Sequence, residues 1–248
     1  KNPKKVTVLG ATSGDTGSAA IHAFKANQNI NVFILHPHGK VSPMQQKQMT
    51  TVDEENIFNI AIEGNFDDCQ KIVKTLFVDD EIQNRTSLTA INSINWARLI
   101  AQVVYYFWSH LQINNKDINF IVPSGNFGNI FSAYVAKQMG LPISRLHVAT
   151  NENDILKSII TRGQMTKKIV SQTYSPSMDI QISSNFERQM FESFDRDSNQ
   201  VNNAFNEFHK TGNYLFNSNI IDNFKKIYDA SSINDDETLV TISKVFEK

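Results

Sequence analysis

Val6-Thr-Val-Leu-Gly-Ala-Thr-Ser-Gly-Asp-Thr-Gly17 runs from an apolar, β-like segment through a glycine loop into a helix-forming segment. A second stretch of the same design, Phe120-Ile-Val-Pro-Ser-Gly-Asn-Phe-Gly-Asn129, recurs near the middle of the chain. A loop of Gly, Ser, Thr and Asn lets backbone N–H groups converge on one point, because no Cβ obstructs the approach. The helix that follows adds N–H groups with no intrahelical partner and the positive end of its dipole. Either loop by itself also suits an ordinary strand-to-helix turn with a Ser or Thr cap. Together they read as two anion cradles and point to a ligand with two anionic ends.

Outward from the first cradle, the pattern predicts a strand over Val6–Leu9 and a helix over Asp15–Ala26, whose apolar stripe is Ala19, Ala20, Ala23 and Phe24. A strand over Val32–Leu35, a polar helix over Met44–Thr51 and a third strand over Ile57–Ile62 follow. This alternation predicts an α/β fold of parallel sheets flanked by helices. Asn65–Phe77 reads as an amphipathic helix with Asp67 and Asp68 in its first turn, where the dipole favours acids; a catalytic carboxylate pair is the weaker reading. Leu88–Asn92 brings the chain to another loop. Ile94–His110 is apolar nearly all round, through Trp96, Leu99, Ile100, Val103, Val104, Tyr106 and Phe107, which predicts a buried helix. Arg98, near its start, should therefore have an anionic partner.

Beyond the second cradle, a helix over Ile130–Met139 stops at Gly140 and Pro142, a strand covers Leu146–Ala149, and Asn151–Thr161 reads as a helix with an Asn cap. Residues 163–182 are loop-like around Tyr174-Ser-Pro-Ser-Met-Asp179. Asn185–Glu192 begins a polar, mostly helical remainder in which Phe205, Phe208 and Tyr214 recur at helical spacing. The domain boundary is placed near Asn84. Residues 1–84 form a smaller α/β lobe with the first cradle, and residues 85–248 a larger lobe with the second.

The chain has 248 residues, 40% hydrophobic and 20% charged, enough for a core and a buried ligand site. The formal charge is −1 and the Lys and Arg residues are dispersed, so no nucleic-acid partner is expected. Cys69 is the single cysteine, so no internal disulfide can form and a reducing, cytoplasmic compartment is expected. The longest apolar stretch, Leu99–Trp108, is interrupted by Gln102 and is much shorter than a membrane span, so no membrane partner is expected. His36-Pro-His38 has no third ligand nearby, and no metal is assigned. Neither Ser13 nor Ser124 sits in a G-x-S-x-G elbow. Dinucleotide binding is a stronger rival, since the first loop sets three glycines at a strand-to-helix turn. Its spacing departs from G-x-G-x-x-G, however, and the next strand ends in Leu35-His36-Pro37 without the acid that holds a ribose hydroxyl.

The segments GATSGDTGSAA (10–20), SPMQ (42–45), NSINWARLIAQ (92–102), VPSGNFGN (122–129) and SPSMDI (175–180), in this order, closely resemble the threonine synthase family. These are pyridoxal phosphate enzymes of the tryptophan-synthase-β, or fold-type-II, class. The resemblance runs from about Val6 to about Arg188 and is specific as a combination. It implies the two-lobed fold-type-II architecture, pyridoxal 5'-phosphate as cofactor, and a carbon–oxygen lyase reaction of threonine biosynthesis. In that reaction a small phosphorylated amino acid, O-phospho-L-homoserine, and water give L-threonine and phosphate, with the cofactor as electron sink.

The resemblance also implies a use for each loop. Ser124, Gly125, Asn126, Phe127, Gly128 and Asn129 would hold the cofactor's phosphate, and Thr12, Ser13, Gly14, Asp15 and Thr16 the amino-acid end of the substrate. The dianionic leaving group needs cations, and Lys40 and Arg98, helped by Ser93 and Asn95, match the family motifs that supply them. A related phosphoamino-acid lyase, or a non-catalytic ligand-binding or scaffold fragment, are the alternative readings.

One departure bears on catalysis. The family's Schiff-base lysine lies in a Phe-Lys-Asp motif upstream of the first cradle, where only Lys1, Lys4 and Lys5 stand here, none in that context. The family's C-terminal D-P-H-T-A-V-G-like segment, the source of the pyridine-nitrogen partner, has no counterpart either. No residue is therefore assigned a catalytic role. Glu237–Lys248, apolar at Leu239, Val240, Ile242 and Val245, reads as a helix in progress. The expectation is a central fragment, inactive by itself.

Overall fold

The computed structural model describes residues 5–12, 14–92, 94–113 and 117–247, with the side chain of Asp67 outside that description. The chain divides into two compact units, Lys1–Asn92 and Ser93–Lys248.

In the first unit the order is β1 (Val6–Ala11), α1 (Asp15–Phe24), β2 (Ile30–Pro37), α2 (Pro43–Thr50), β3 (Ile57–Ile62), α3 (Phe66–Phe77), α4 (Asp80–Arg85) and β4 (Ser87–Ala90). The strands form one parallel sheet in the order β3-β2-β1-β4. Successive residues of β1 face opposite sides. Val8 packs with Val32, Ile34, Ala20, Ile21 and Met49 on the side of α1 and α2. Leu9 packs with Leu35 and Cys69 on the side of α3. Each such aliphatic side chain contributes about 1.5–3 kcal/mol on burial. A sheet covered on both faces needs apolar residues at consecutive positions, which is why Val8 and Leu9 stand side by side.

The short elements α4 and β4 were not anticipated. β4 lies largely in the stretch read as leading into a loop, and it pairs in parallel register with β1, Val6 opposite Ser87 and Leu9 opposite Ala90. That pairing attaches it to the first sheet, so the first unit extends to Asn92 and the boundary lies beyond Asn84. Asp68 belongs to a capping box with Asn65, each side chain accepting from the other's backbone N–H, which is the duty of starting a helix.

In the second unit the order is α5 (Trp96–Ile113), β5 (Ile118–Pro123), α6 (Gly128–Gln138), β6 (Ile143–Thr150), α7 (Ile155–Arg162) and β7 (Gln164–Thr166). A 3-10 turn at Pro176–Met178 leads to α8 (Phe186–Ser193), α9 (Ser198–Thr211), β8 (Asn213–Leu215), α10 (Ser218–Ile227), β9 (Tyr228–Ser232) and α11 (Asp235–Phe246). β5, β6 and β9 form a parallel sheet, and β7 pairs with β8 antiparallel. Around that sheet Leu99, Val103, Phe127, Ile130, Leu146, Val148, Leu156, Phe186, Phe208 and Tyr228 build one continuous core.

Three expectations change here. α5 is not buried all round: Leu99, Val103 and Tyr106 face the core, whereas Val104, Trp108 and Leu111 are 61%, 63% and 71% exposed. Its inner stripe is the one that meets α6, where Ser132 Oγ donates to Leu99 O at 2.9 Å. α7 starts at Ile155 with Asp154 at its N-cap, later than the expected Asn151. Asn151 is instead buried and spends its amide on a neighbouring loop. Tyr214 lies in β8, after Gly212 has ended α9 in a left-handed conformation. In α11 no residue is buried.

Candidate active site

The second cradle is built by the end of β5 and the start of α6. Ser124 N–H donates to Ala149 O at 2.8 Å, continuing the ladder to β6, and Ser124 Oγ donates to Val122 O at 2.9 Å. The loop then turns at Phe127, the N-cap of α6, with φ 62° and ψ 2°. A bulky residue in this left-handed region is strained. Its ring is held by burial against Phe186 at 5.2 Å and Tyr228 at 5.6 Å, both edge-on. The glycine-rich sequence thus places its left-handed turn on the phenylalanine. After that turn the first N–H groups of α6 open toward the loop, where helix geometry gives them no intrahelical acceptor.

Asn129, in the first turn of α6, is clasped by Tyr106. The phenol donates to Asn129 O at 3.0 Å and also to Asn129 Oδ1. Burial pushes the Tyr106 pKa up, so the hydroxyl keeps the proton it donates. The Asn129 side chain is therefore engaged within the protein rather than turned outward.

The other wall of the loop comes from residues 171–185, whose site role sequence reading missed. A Cβ on Gly125 would lie 2.7 Å from Ser177 O and 3.1 Å from Met178 Cα, so only glycine fits under that backbone. Ser183 Oγ donates to Gly125 O at 2.8 Å, and Ser184 Oγ to Asn126 Oδ1 at 3.0 Å. Asn185 donates to Asn126 O from its backbone N–H at 3.0 Å and from its side chain at 3.1 Å. The segment is anchored by Asp179, whose Oδ1 accepts from Asn151 Nδ2 at 2.7 Å and Asn153 Nδ2 at 3.0 Å. Its Oδ2 accepts from Thr173 N–H at 2.9 Å. The available signal was the Asn151-Glu-Asn153 pair after a strand together with Asp179 in SPSMDI.

At the start of α5, Asn95 is exposed and acts as a cap. Its Oδ1 accepts from Ala97 N–H at 2.9 Å and its carbonyl from Arg98 N–H at 3.0 Å. Arg98 is half-buried, is not without a partner, and has its pKa lowered by desolvation. Arg188 stacks 5.3 Å over the Trp96 ring and donates to Ile94 O at 2.8 Å, pinning the turn ahead of Arg98. Ser93 lies outside the described residues.

In the first unit, the Thr12–Thr16 loop and Lys40 follow β1 and β2 at the carboxyl end of the parallel sheet, the edge where such sheets bind ligands. Thr12 is buried and its Oγ1 accepts from Gly14 N–H and Gly17 N–H, both at 2.9 Å, so its hydroxyl shapes the loop. Ser13 lies outside the described residues. Gly14 caps α1 at φ 143° and is overlaid by the Gln45 amide. Gln45 donates to Asp15 Oδ1 at 2.5 Å and accepts from Ser42 Oγ at 2.9 Å. It is a buried residue of SPMQ that sequence reading did not place in the site. Thr16 is half-buried, and Lys40 is exposed. His38 pairs with Glu63 at 2.7 Å, whereas His36 is buried and its Nδ1 has no hydrogen-bond partner. Among the described residues no group of three His, Cys, Asp or Glu side chains could hold a metal, and no helix is long and apolar enough to cross a membrane.

The family model for pyridoxal-phosphate dependent enzymes matches residues 1–204. The chain is 46% identical over 248 residues to the threonine synthase of Pseudomonas aeruginosa, covering 99% of the chain and 53% of that protein. To the Saccharomyces cerevisiae threonine synthase it is 45% identical over 258 residues, covering 98% and 50%. Among solved structures, a PLP-bound threonine synthase from Brucella melitensis superposes with TM-score 0.90 at 47% identity, over 99% of the chain and 53% of that structure. The chain spans about half the length of the curated relatives it matches.

Proposed function

The chain belongs to the pyridoxal-phosphate dependent enzyme family, and from that premise we propose that its protein is a threonine synthase, converting O-phospho-L-homoserine and water to L-threonine and phosphate. The observation that carries this reading is the Ser124–Asn129 loop at the head of α6. Gly125 lies beneath packed backbone and the carbonyls of Gly125 and Asn126 are tied back, while the first N–H groups of α6, as at any helix start, have no intrahelical acceptor. A donor set of backbone N–H groups fits a phosphate ester dianion and needs no side-chain cation there. When bound, the cofactor supplies the electron sink that lets phosphate leave a carbon skeleton.

The roles of this chain's own residues follow from chemistry and from the resemblance. Ser124 to Asn129 orient the cofactor through its phosphate. In the first unit, the start of α1 at Asp15 and Thr16 binds the substrate's carboxylate, with Ser13 carried over from the resemblance and with Gly14 and Thr12 as the scaffold of the turn, the Gly14 N–H being spent on Thr12 Oγ1. Arg98 grips the leaving phosphate with two parallel N–H bonds, with Asn95 and Ser93 carried over from the resemblance as its helpers. Lys40 stabilises the departing negative charge. The buried free thiol of Cys69 suits a reducing, cytoplasmic setting.

A polypeptide of residues 1–248 alone is inactive on this reading, because Lys1, Lys4 and Lys5 do not reproduce the family's lysine motif. Borohydride reduction with pyridoxal phosphate should label no lysine stoichiometrically, and one specifically labelled lysine would reverse that statement. The activity is tested by adding O-phosphohomoserine to the full-length protein with cofactor. Phosphate and threonine in equal amounts support the proposal. Phosphate without threonine assigns a different lyase, and no turnover removes the enzyme reading.

A further inference from the structure

Two carbonyls of the Ser124–Asn129 loop are held by side chains from one short segment. Gly125 O accepts from Ser183 Oγ at 2.8 Å, and Asn126 O accepts both from Asn185 N–H at 3.0 Å and from Asn185 Nδ2 at 3.1 Å. In a trans peptide the C=O of one residue and the N–H of the next point in opposite directions. Fixing the carbonyls of Gly125 and Asn126 therefore fixes the N–H groups of Asn126 and Phe127 on the other side of the loop. Gly125 tolerates most backbone angles, so the peptide that follows it is the one most in need of such ties.

We propose that Ser183 and Asn185 are positioning residues for the cofactor's phosphate: they set which way the Gly125–Asn126 and Asn126–Phe127 peptides face, so that N–H groups rather than carbonyl oxygens meet the anion. Ser183 and Asn185 are buried, 7% and 0% exposed, so their bonds are shielded from water. The segment that carries them has a fixed origin. Asp179, bonded to Asn151, Asn153 and Thr173, holds the preceding loop, and the Ser177 carbonyl rests against Gly125. A flipped peptide would present a carbonyl oxygen to a phosphate dianion, turning an attractive contact into a repulsive one. This inference rests on reading Ser124–Asn129 as the phosphate loop.

The test compares pyridoxal phosphate with pyridoxal, which lacks the phosphate, in equilibrium titrations of the full-length apoprotein. Ser183→Ala should weaken binding of pyridoxal phosphate between about threefold and tenfold, the range for one lost hydrogen bond, and leave pyridoxal binding unchanged. Ser183→Thr, which keeps the hydroxyl, should restore the preference. Equal losses for both ligands would mean a merely structural role, and no loss for either would mean that the hydroxyl does not hold the peptide; each overturns the inference while the phosphate loop stands. A wild-type protein that binds both ligands equally would remove the loop assignment and the inference together.

Discussion

The amide of Gln45 donates to Asp15 Oδ1 at 2.5 Å and at the same time covers Gly14, where a Cβ would stand 2.4 Å from Gln45 Cδ. The first cradle is therefore closed from above by a side chain of α2, thirty positions away in sequence. Ser42, the N-cap of α2, accepts from Gln45 N–H and donates to its side-chain oxygen, which leaves the Gln45 amide nitrogen aimed at Asp15.

Gly14→Ala should cost about 1–3 kcal/mol of stability, because the residue sits at φ 143° and its new methyl meets Gln45. Adding Gln45→Ala removes the steric part but not the backbone part. The double variant should thus be less destabilised than the sum of the singles by at least about 0.5 kcal/mol in urea unfolding. Strict additivity would show that the two residues do not touch.

His36 makes stability depend on pH in a stated direction. Burial is the main cause lowering its pKa from 6.5, with neighbouring His38 adding to it and a backbone hydrogen bond opposing. The unfolded chain therefore takes up the proton first as pH falls. The contribution is complete above pH 6.5 and is lost as pH falls from there toward the lower folded value. Thermal midpoints between pH 8 and about pH 5 should fall less steeply in His36→Leu than in the wild type. Parallel profiles would assign the acid sensitivity to other groups.

Arg98→Lys keeps the charge but loses the fork. In the full-length enzyme it should lower kcat/KM for the phosphorylated substrate by roughly tenfold or more and weaken competitive inhibition by inorganic phosphate, with cofactor affinity unchanged. If Arg98→Lys and Arg98→Ala instead lower folding stability equally and leave phosphate inhibition untouched, the residue is a structural ion pair.

The parallel α/β architecture was legible because the inner strands β1 and β2 are covered on both faces, which forces neighbouring apolar residues in the chain, while the edge strand β3 carries enough apolar residues to read as a strand although Phe58 and Ile60 are exposed. The two strand-to-helix loops were legible because glycine and small polar residues interrupt the apolar pattern at the ends of β1 and β5. β4 was not: Ser87-Leu-Thr-Ala90 is a four-residue edge strand with half its side chains exposed, and too short to show a period. The exposed side of α5 was misjudged because apolar content reports affinity for a partner and not the presence of one. Gln45, Ser183, Asn185 and the Asn151–Asn153–Asp179 network escaped for a common reason. Each is an ordinary polar residue whose role is a contact far along the chain, and sequence periodicity carries no trace of such contacts. Conversely, Asn151 was given a cap's duty on local pattern alone, and the distant Asp179 overrode it.

On this reading the Ser124–Asn129 loop holds the phosphate of pyridoxal phosphate. That assignment is tested most directly by titrating full-length apoprotein with the cofactor in wild type and in Gly125→Val, with circular dichroism confirming the fold of each. The Cβ and its methyls would drive against the Ser177 carbonyl, 2.7 Å from the Cβ position, and that backbone is anchored through Asp179. The loop must then shift its N–H groups off the anion. The prediction is cofactor affinity weakened by roughly tenfold or more, equivalent to at least about 1.4 kcal/mol, with the fold retained. Unchanged affinity in a folded Gly125→Val protein would place the cofactor's phosphate elsewhere.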